Sequence, residues 1–226
     1  MLQFAPDLIS LMPSRTYPNS ALPWTRTSHC HKQVYHYLKG MINLSITYSG
    51  NNTSDIILYS DADWGNNLDD QWSVSGYVSA LSGGATTWSS KKQPTMALSS
   101  MEADYMALAN TTQDNSWIRQ LFTELDEPLN SPMHIFVNNC STIEYTMNAG
   151  FHAHSKHINI WHHFIWDSIT SCEVSVHYCV SEENIANIFM KPLPTNEHDY
   201  LVAKLSMNRV WRGMLWLQTR SCMLIR

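Results

Sequence analysis

The chain has 226 residues, 44% of them hydrophobic and 15% charged, with a formal net charge of −5. That length holds one domain of ordinary size with flanking pieces, and the composition excludes wholesale disorder. The mildly acidic balance argues against a surface built throughout for nucleic acid, but it permits an enzyme that grips such a substrate through a local patch and bound cations.

Residues 1–30 contain Pro and Ser without a sustained period and read as an irregular lead-in. Residues 31–40 (HKQVYHYLKG) are predicted as a short helix stopped at Gly40. Ile42–Tyr48 alternates as a strand, and Gly50-Asn51-Asn52 turns the chain. Three strand-like runs follow, Asp55–Trp64, Val74–Leu81 and Thr86–Lys91. Asn66-Asn67 and Gly83-Gly84 separate them with turn chemistry, which predicts a meander. Ser99–Leu125 shifts to helical spacing, with Met101, Tyr105, Leu108 and Ala109 recurring before Trp117, Ile118, Leu121 and Phe122. Ser99 and Ser100 offer N-caps, and Glu102 and Asp104 sit in the favourable first turn. Beyond it are predicted a fourth strand at Met133–Asn138, helices at Ser141–Asn148 and His157–Ser171, and a fifth strand at Glu173–Val180. A last helix at Glu183–Met190 is stopped by Pro192, and Asn208–Arg226 carries no clear pattern. This order predicts an α/β layer fold with a mixed five-stranded sheet flanked by helices.

Five cysteines (Cys30, Cys140, Cys172, Cys179, Cys222) form no CxxC pair, so neither a disulfide framework nor a zinc knuckle is expected. Adjacent His29, Cys30 and His31 cannot easily close on one ion. Pro6, Asp7, Pro13 and Arg15 interrupt the start of the chain where a secretion signal needs a continuous apolar run, and no apolar stretch is long enough to span a bilayer. The location is left undetermined, with the cytoplasm as default.

Two acids stand at positions that matter in this layout. Asp61 lies in a strand apolar enough to be central, where a carboxylate is costly unless it is paired or bound to a metal. The alternative for Asp61 is a solvated strand end. Glu102 lies in a first helical turn, where acids usually serve as caps or dipole partners.

The block YSDADW…SGYV…GGATTWSSKKQPTMALSSMEADYMAL resembles the ribonuclease H domain of Ty1/copia-type retrotransposon Pol polyproteins, whose motifs read SDADWAGD, SGYVF, WSSKKQ and ALSSTEAEYMAL. SKHINIWHHFIWD is similar to the family's TKHIDIRYHFIRE, and ENIANIFMKPLP to QLADIFTKPLP. Tyr37-Leu38-Lys39-Gly40 resembles the end of the reverse-transcriptase connection that precedes the domain. The resemblance covers about residues 31–205 and implies three parts: a remnant of the connection at 1–50, an RNase H-like domain at 51–205, and an unassigned tail at 206–226.

The resemblance implies metal-dependent hydrolysis of the RNA strand of RNA–DNA hybrids. In that chemistry two Mg²⁺ ions activate a water and stabilise the leaving oxygen. By resemblance Asp61 is the first of four acids that hold the ions, and Glu102 the second. The third falls on Asn138 and the fourth on Asn187, so the chain is identified as a degenerate copy. Asparagine keeps a carbonyl oxygen but brings no charge, so two negative charges would face the four positive charges of two ions. Metal binding is therefore expected to weaken, and cleavage to be weak or lost. Asp63, on the same strand face as Asp61 by alternation, and Asp69 and Asp70 could in principle compensate.

Other departures follow one chemistry. Trp161 and Trp166 stand at family arginines, Trp72 at a basic position, Met101 and Met190 at threonines, and Asn159 at an aspartate. Arg→Trp, Thr→Met and Asp→Asn can each arise from a single C-to-T or G-to-A transition, which points to decay by deamination. Lost arginines are lost phosphate contacts. Trp161 and Trp166 are expected as exposed apolar groups on a helix surface, with base stacking as the alternative. His157, inside the KHI motif, is expected to position substrate, help product leave or make a structural hydrogen bond. The implied partners are an RNA–DNA hybrid or another nucleic acid, and a parent polyprotein. The alternative is a non-catalytic nucleic-acid-binding or protein-interaction module.

Overall fold

The structure is a computed structural model that describes residues 32, 35–48, 56–65, 71–147, 159–191 and 193–209. His29, Cys30, His31, Asp69, Asp70, His157 and the stretch 210–226 lie outside the described residues.

Seven strands are described: β1 Leu44–Ile46, β2 Ile56–Asp63, β3 Val74–Leu81, β4 Gly84–Lys92, β5 Met133–Val137, β6 Val174–Tyr178 and β7 Met207–Arg209. Four helices accompany them: α1 Ser100–Glu124, α2 Cys140–Met147, α3 Asn159–Thr170 and α4 Thr195–Lys204. A further helical segment covers residues 35–41. β2 to β6 form one sheet in the order β4-β3-β2-β5-β6. β2 pairs antiparallel with β3 and β3 with β4, whereas β2–β5 and β5–β6 are parallel. The mixed five-stranded sheet flanked by helices is therefore present.

Both faces of the central strands are covered: β2 alternates between buried and half-buried residues, and none of its side chains is fully exposed. On one face Leu58, Ile135, Val137 and Val176 pack with Tyr105 and Leu108 of α1 and Ile165 of α3. On the other, Val78 and Ala85 pack with Ile188 and Phe189 and with Leu201, Val202 and Leu205 at the end of α4. Helix α1 starts at Ser99, whose hydroxyl accepts the Glu102 N–H at 3.2 Å. It ends where Asp126 turns left-handed at φ 62 and the Glu127 N–H closes back on the Phe122 carbonyl at 3.0 Å.

Four expectations need adjustment. Residues 183–190 do not form an α-helix; two 3-10 turns occupy the stretch, Ser181–Glu183 and Ile185–Phe189. Asn184 separates them: its side chain accepts the Ala186 N–H and donates to the Ser60 carbonyl of β2, which holds the chain against the sheet. Helix α4 was not marked by the sequence pattern. β1 lies outside the main sheet and pairs antiparallel with β7, which falls in the stretch read as patternless. Trp161 is half-buried against the core formed by Ala97, Ala103 and Met106 and against the main core, so it packs where solvent exposure was expected. Trp166, 37% exposed, is the more open of the two.

Candidate active site

Parallel pairing places Tyr59 of β2 opposite Phe136 of β5, so Asp61 and Asn138, each two residues further on, emerge at the same end of the sheet. Gly76 of β3 lies opposite Asp61. A Cβ on Gly76 would meet the Met190 side chain at 2.5 Å and the Ala186 carbonyl at 3.2 Å. The missing side chain thus lets the second 3-10 turn, which carries Asn187, lie directly on the sheet beside Asp61.

Asp61 is 5% exposed, which removes the solvated strand end as an alternative. The acid whose charge acts on it comes from α1, and it is Asp104, also buried. The two carboxylates share a donor. The Ala62 N–H lies 2.9 Å from Asp61 Oδ1 and 3.0 Å from Asp104 Oδ1. Burial pushes the Asp61 carboxyl up to about 7, and the neighbouring Asp104 adds to the rise. Lys191, the Ala62 N–H and the Asn138 side chain work against it. Burial likewise raises Asp104 to about 6, opposed by Asn139, the Ala62 N–H and Lys191.

Glu102, expected as the second acid, is turned to the helix start. Its Oε2 accepts the Leu98 N–H at 2.9 Å, while Ser99 caps the Glu102 N–H. This is a capping-box exchange displaced by one residue, and it engages Oε2 with the N–H of the residue just before the N-cap. Asp104 sits two residues on, roughly 200° around the helix. The resemblance assigns the second acid to Glu102, whereas the α1 carboxylate beside Asp61 is that of Asp104.

Asn138 and Asn187 converge on one residue. The Asn138 amide donates to Ser181 Oγ at 3.3 Å and to the Asp61 carboxylate. The Asn187 amide donates to the Ser181 carbonyl. An aspartate at 187 could not make that second bond, because an ionised carboxylate only accepts. Asn187 Oδ1 is buried and has no hydrogen-bond partner. Asn139, next to the motif position Asn138, ties the site to α2. Its amide donates to Asp104 Oδ2 at 2.8 Å, and its carbonyl oxygen accepts the Ser141 N–H at 3.0 Å. Among the described residues, no group of three or more His, Cys, Asp or Glu side chains is arranged to hold a metal ion.

The chain is 35% identical over 179 residues to a retrovirus-related Pol polyprotein from transposon RE1 of Arabidopsis thaliana, covering 79% of this chain. It is 36% identical over 162 residues to the corresponding polyprotein from transposon RE2 of the same plant, covering 72% of this chain. The chain is homologous to Ty1/copia-type Pol polyproteins. It spans only 12% and 11% of the length of these two relatives. No family model matches.

Among solved structures, LC11-RNase H1 in complex with RNA/DNA hybrid resembles the chain at a TM-score of 0.45 and 16% identity, covering 60% of this chain and 94% of that one. The fold itself is the mixed five-stranded sheet flanked by helices described above. Among the described residues no helix is long and apolar enough to cross a membrane.

Proposed function

We propose that this Pol segment is a disarmed ribonuclease H domain, which retains a nucleic-acid-binding surface but cleaves an RNA–DNA hybrid weakly or not at all. The observation that supports this most directly is the composition of the site: two buried carboxylates meet there, Asp61 and Asp104, and the positions beside them are the amides Asn138 and Asn187. The second acid of the site is Asp104, and Glu102 is a helix cap.

Divalent magnesium, when bound in such a site, activates water and stabilises the oxygen that leaves. The residues present fit one hard cation better than two. Asp61 and Asp104 supply charged oxygens, and the unpartnered Asn187 Oδ1 supplies a neutral one. Lys191 adds a positive charge that acts on both carboxylates and so takes part of the attraction a cation would otherwise receive. A second ion lacks charged ligands, because Asn138 and Asn187 stand where acids would bind it. The amides instead hold the 3-10 turn through Ser181, so they add no charge to the crowding between Asp61 and Asp104. The division into a connection remnant at 1–50 and a nuclease domain at 51–205 remains part of this proposal, with β1 and β7 closing on each other outside it.

Two measurements on the purified chain test the reading. The expected results are no cleavage of a labelled hybrid in Mg²⁺, and a gel shift that favours the hybrid over duplex DNA of the same sequence. Cleavage at a rate typical of active nucleases would overturn it. A gel shift without preference for the hybrid would favour an interaction module.

A further inference from the structure

The outer face of β5 and β6 carries a pair of histidines that the active site does not use. His134 stands at the start of β5 and His177 near the end of β6; the strands run parallel, and the register sets His134 opposite Ser175 and Phe136 opposite His177. The two imidazoles meet on the diagonal with His134 Nδ1 2.9 Å from His177 Nε2 and ring centroids 4.9 Å apart. Ser175 Oγ lies 2.8 Å from the same His177 nitrogen. Phe136 supports the His177 ring from within the sheet at a centroid distance of 5.5 Å, and Tyr59 stacks on Phe136. His134 is exposed and His177 half-buried, so water reaches the pair.

We propose that His134 and His177 form a two-histidine site for a late divalent transition metal that prefers right-angle coordination, such as Cu²⁺ or Ni²⁺. Metal–imidazole bonds of about 2.05 Å set ligand nitrogens about 2.9 Å apart when the bonds meet at a right angle, and about 3.3 Å apart in a tetrahedron. The observed separation matches the right-angle case, and tetragonal nitrogen and oxygen sites select Cu²⁺ and Ni²⁺. Water fills the remaining positions, with the Ser175 hydroxyl within reach as a weak oxygen donor. Without metal, one imidazole N–H donates to the other ring. With metal, that ring shifts its proton to its other nitrogen, so both rings bind as neutral ligands and no proton is lost. His177 is suited to this, since burial and the neighbouring His134 lower its affinity for a second proton. The site lies about 13 Å along β5 from Asn138 at ~3.3 Å per residue, so its occupancy is separable from that of the carboxylate pair.

The test is a Cu²⁺ titration of the full chain, followed by electron paramagnetic resonance of the first equivalent bound. Because the chain has 11 histidines, it is run beside His134→Gln, His177→Gln and the double variant. The expected spectrum shows coupling to two imidazole nitrogens. Either single substitution should weaken first-equivalent binding roughly a hundredfold, the advantage of a second donor held in place. Both side chains stand on the outside of the sheet, so each variant should still melt cooperatively in chelator, which separates ligand loss from unfolding. An unaltered first-equivalent affinity in the variants, or a wild-type spectrum with a single nitrogen, would overturn the proposal.

Discussion

Replacing Asp61 by asparagine should stabilise the metal-free protein at alkaline pH. The native site buries two carboxylates around one N–H, and the Asp61 carboxyl is pushed from 3.8 to about 7. At ~1.36 kcal/mol per pH unit, keeping Asp61 ionised in the folded state above pH 7 costs about 4 kcal/mol. The sign follows from linkage. The folded chain holds this proton longer than the unfolded chain, so stability falls as pH rises from 3.8 towards 7 and levels off above. Asp104, raised to about 6, adds a slope of the same sign. Between pH 5 and pH 8 the Asp61 share of the loss is about 3 kcal/mol. Asparagine at this position can keep the bond from the Ala62 N–H while carrying no charge, so Asp61→Asn should remove most of that loss. Urea unfolding in chelator at the two pH values measures it. A wild type no less stable at pH 8 than at pH 5, or a substitution that destabilises equally at both, would refute this charge crowding.

Three further outcomes follow from the same geometry. Asp104→Asn should abolish divalent-cation binding measured by calorimetry, whereas Glu102→Gln should leave that binding intact; equal loss in both would return the ligand role to Glu102. Ser99→Ala should cost about 1 kcal/mol in urea unfolding by removing the N-cap of α1, with no effect on cation affinity; no loss of stability would mean the cap contributes nothing. Gly76→Ala should destabilise by about 1–3 kcal/mol, because its Cβ would press into Met190 and the Ala186 carbonyl; a neutral result would show that the 3-10 turn yields freely.

Strand and helix periods located the central elements closely because burial there is decided by local pattern. Val74–Leu81 was bounded as observed, and α1 differs from its expected span only by its two caps. The failures share a cause in long-range contacts. The stretch Glu183–Met190 has the apolar spacing of a helix, but Asn184 bonds to Ser60 across 124 positions and breaks it into 3-10 turns. β7 has no strand period of its own in three residues and exists by pairing with β1. At the site, Asp61 was legible as a carboxylate in a central strand. Asp104 was not, since its distinction from Glu102 depends on which side of the helix meets β2. Asn139 was hidden for a similar reason: one side chain both caps α2 and holds Asp104, and no motif comparison reveals the second task. The arginine at the family position of Trp161 implies a surface residue, but the large ring lies against Ala97, Ala103 and Met106.

The central claim is that missing charge at two positions, in an otherwise intact fold, is what disarms the site. The most direct measurement is cleavage of a labelled RNA–DNA hybrid in Mg²⁺ and in Mn²⁺ by the wild type and by the double variant Asn138→Asp with Asn187→Asp. The account expects no detectable product from the wild type and measurable product from the double variant. It also expects the double variant to be less stable than wild type in chelator, because Asn187 no longer donates to Ser181, and to recover on adding Mg²⁺. Robust cleavage by the wild type would contradict the account, as would a folded, metal-binding double variant that still leaves the hybrid intact.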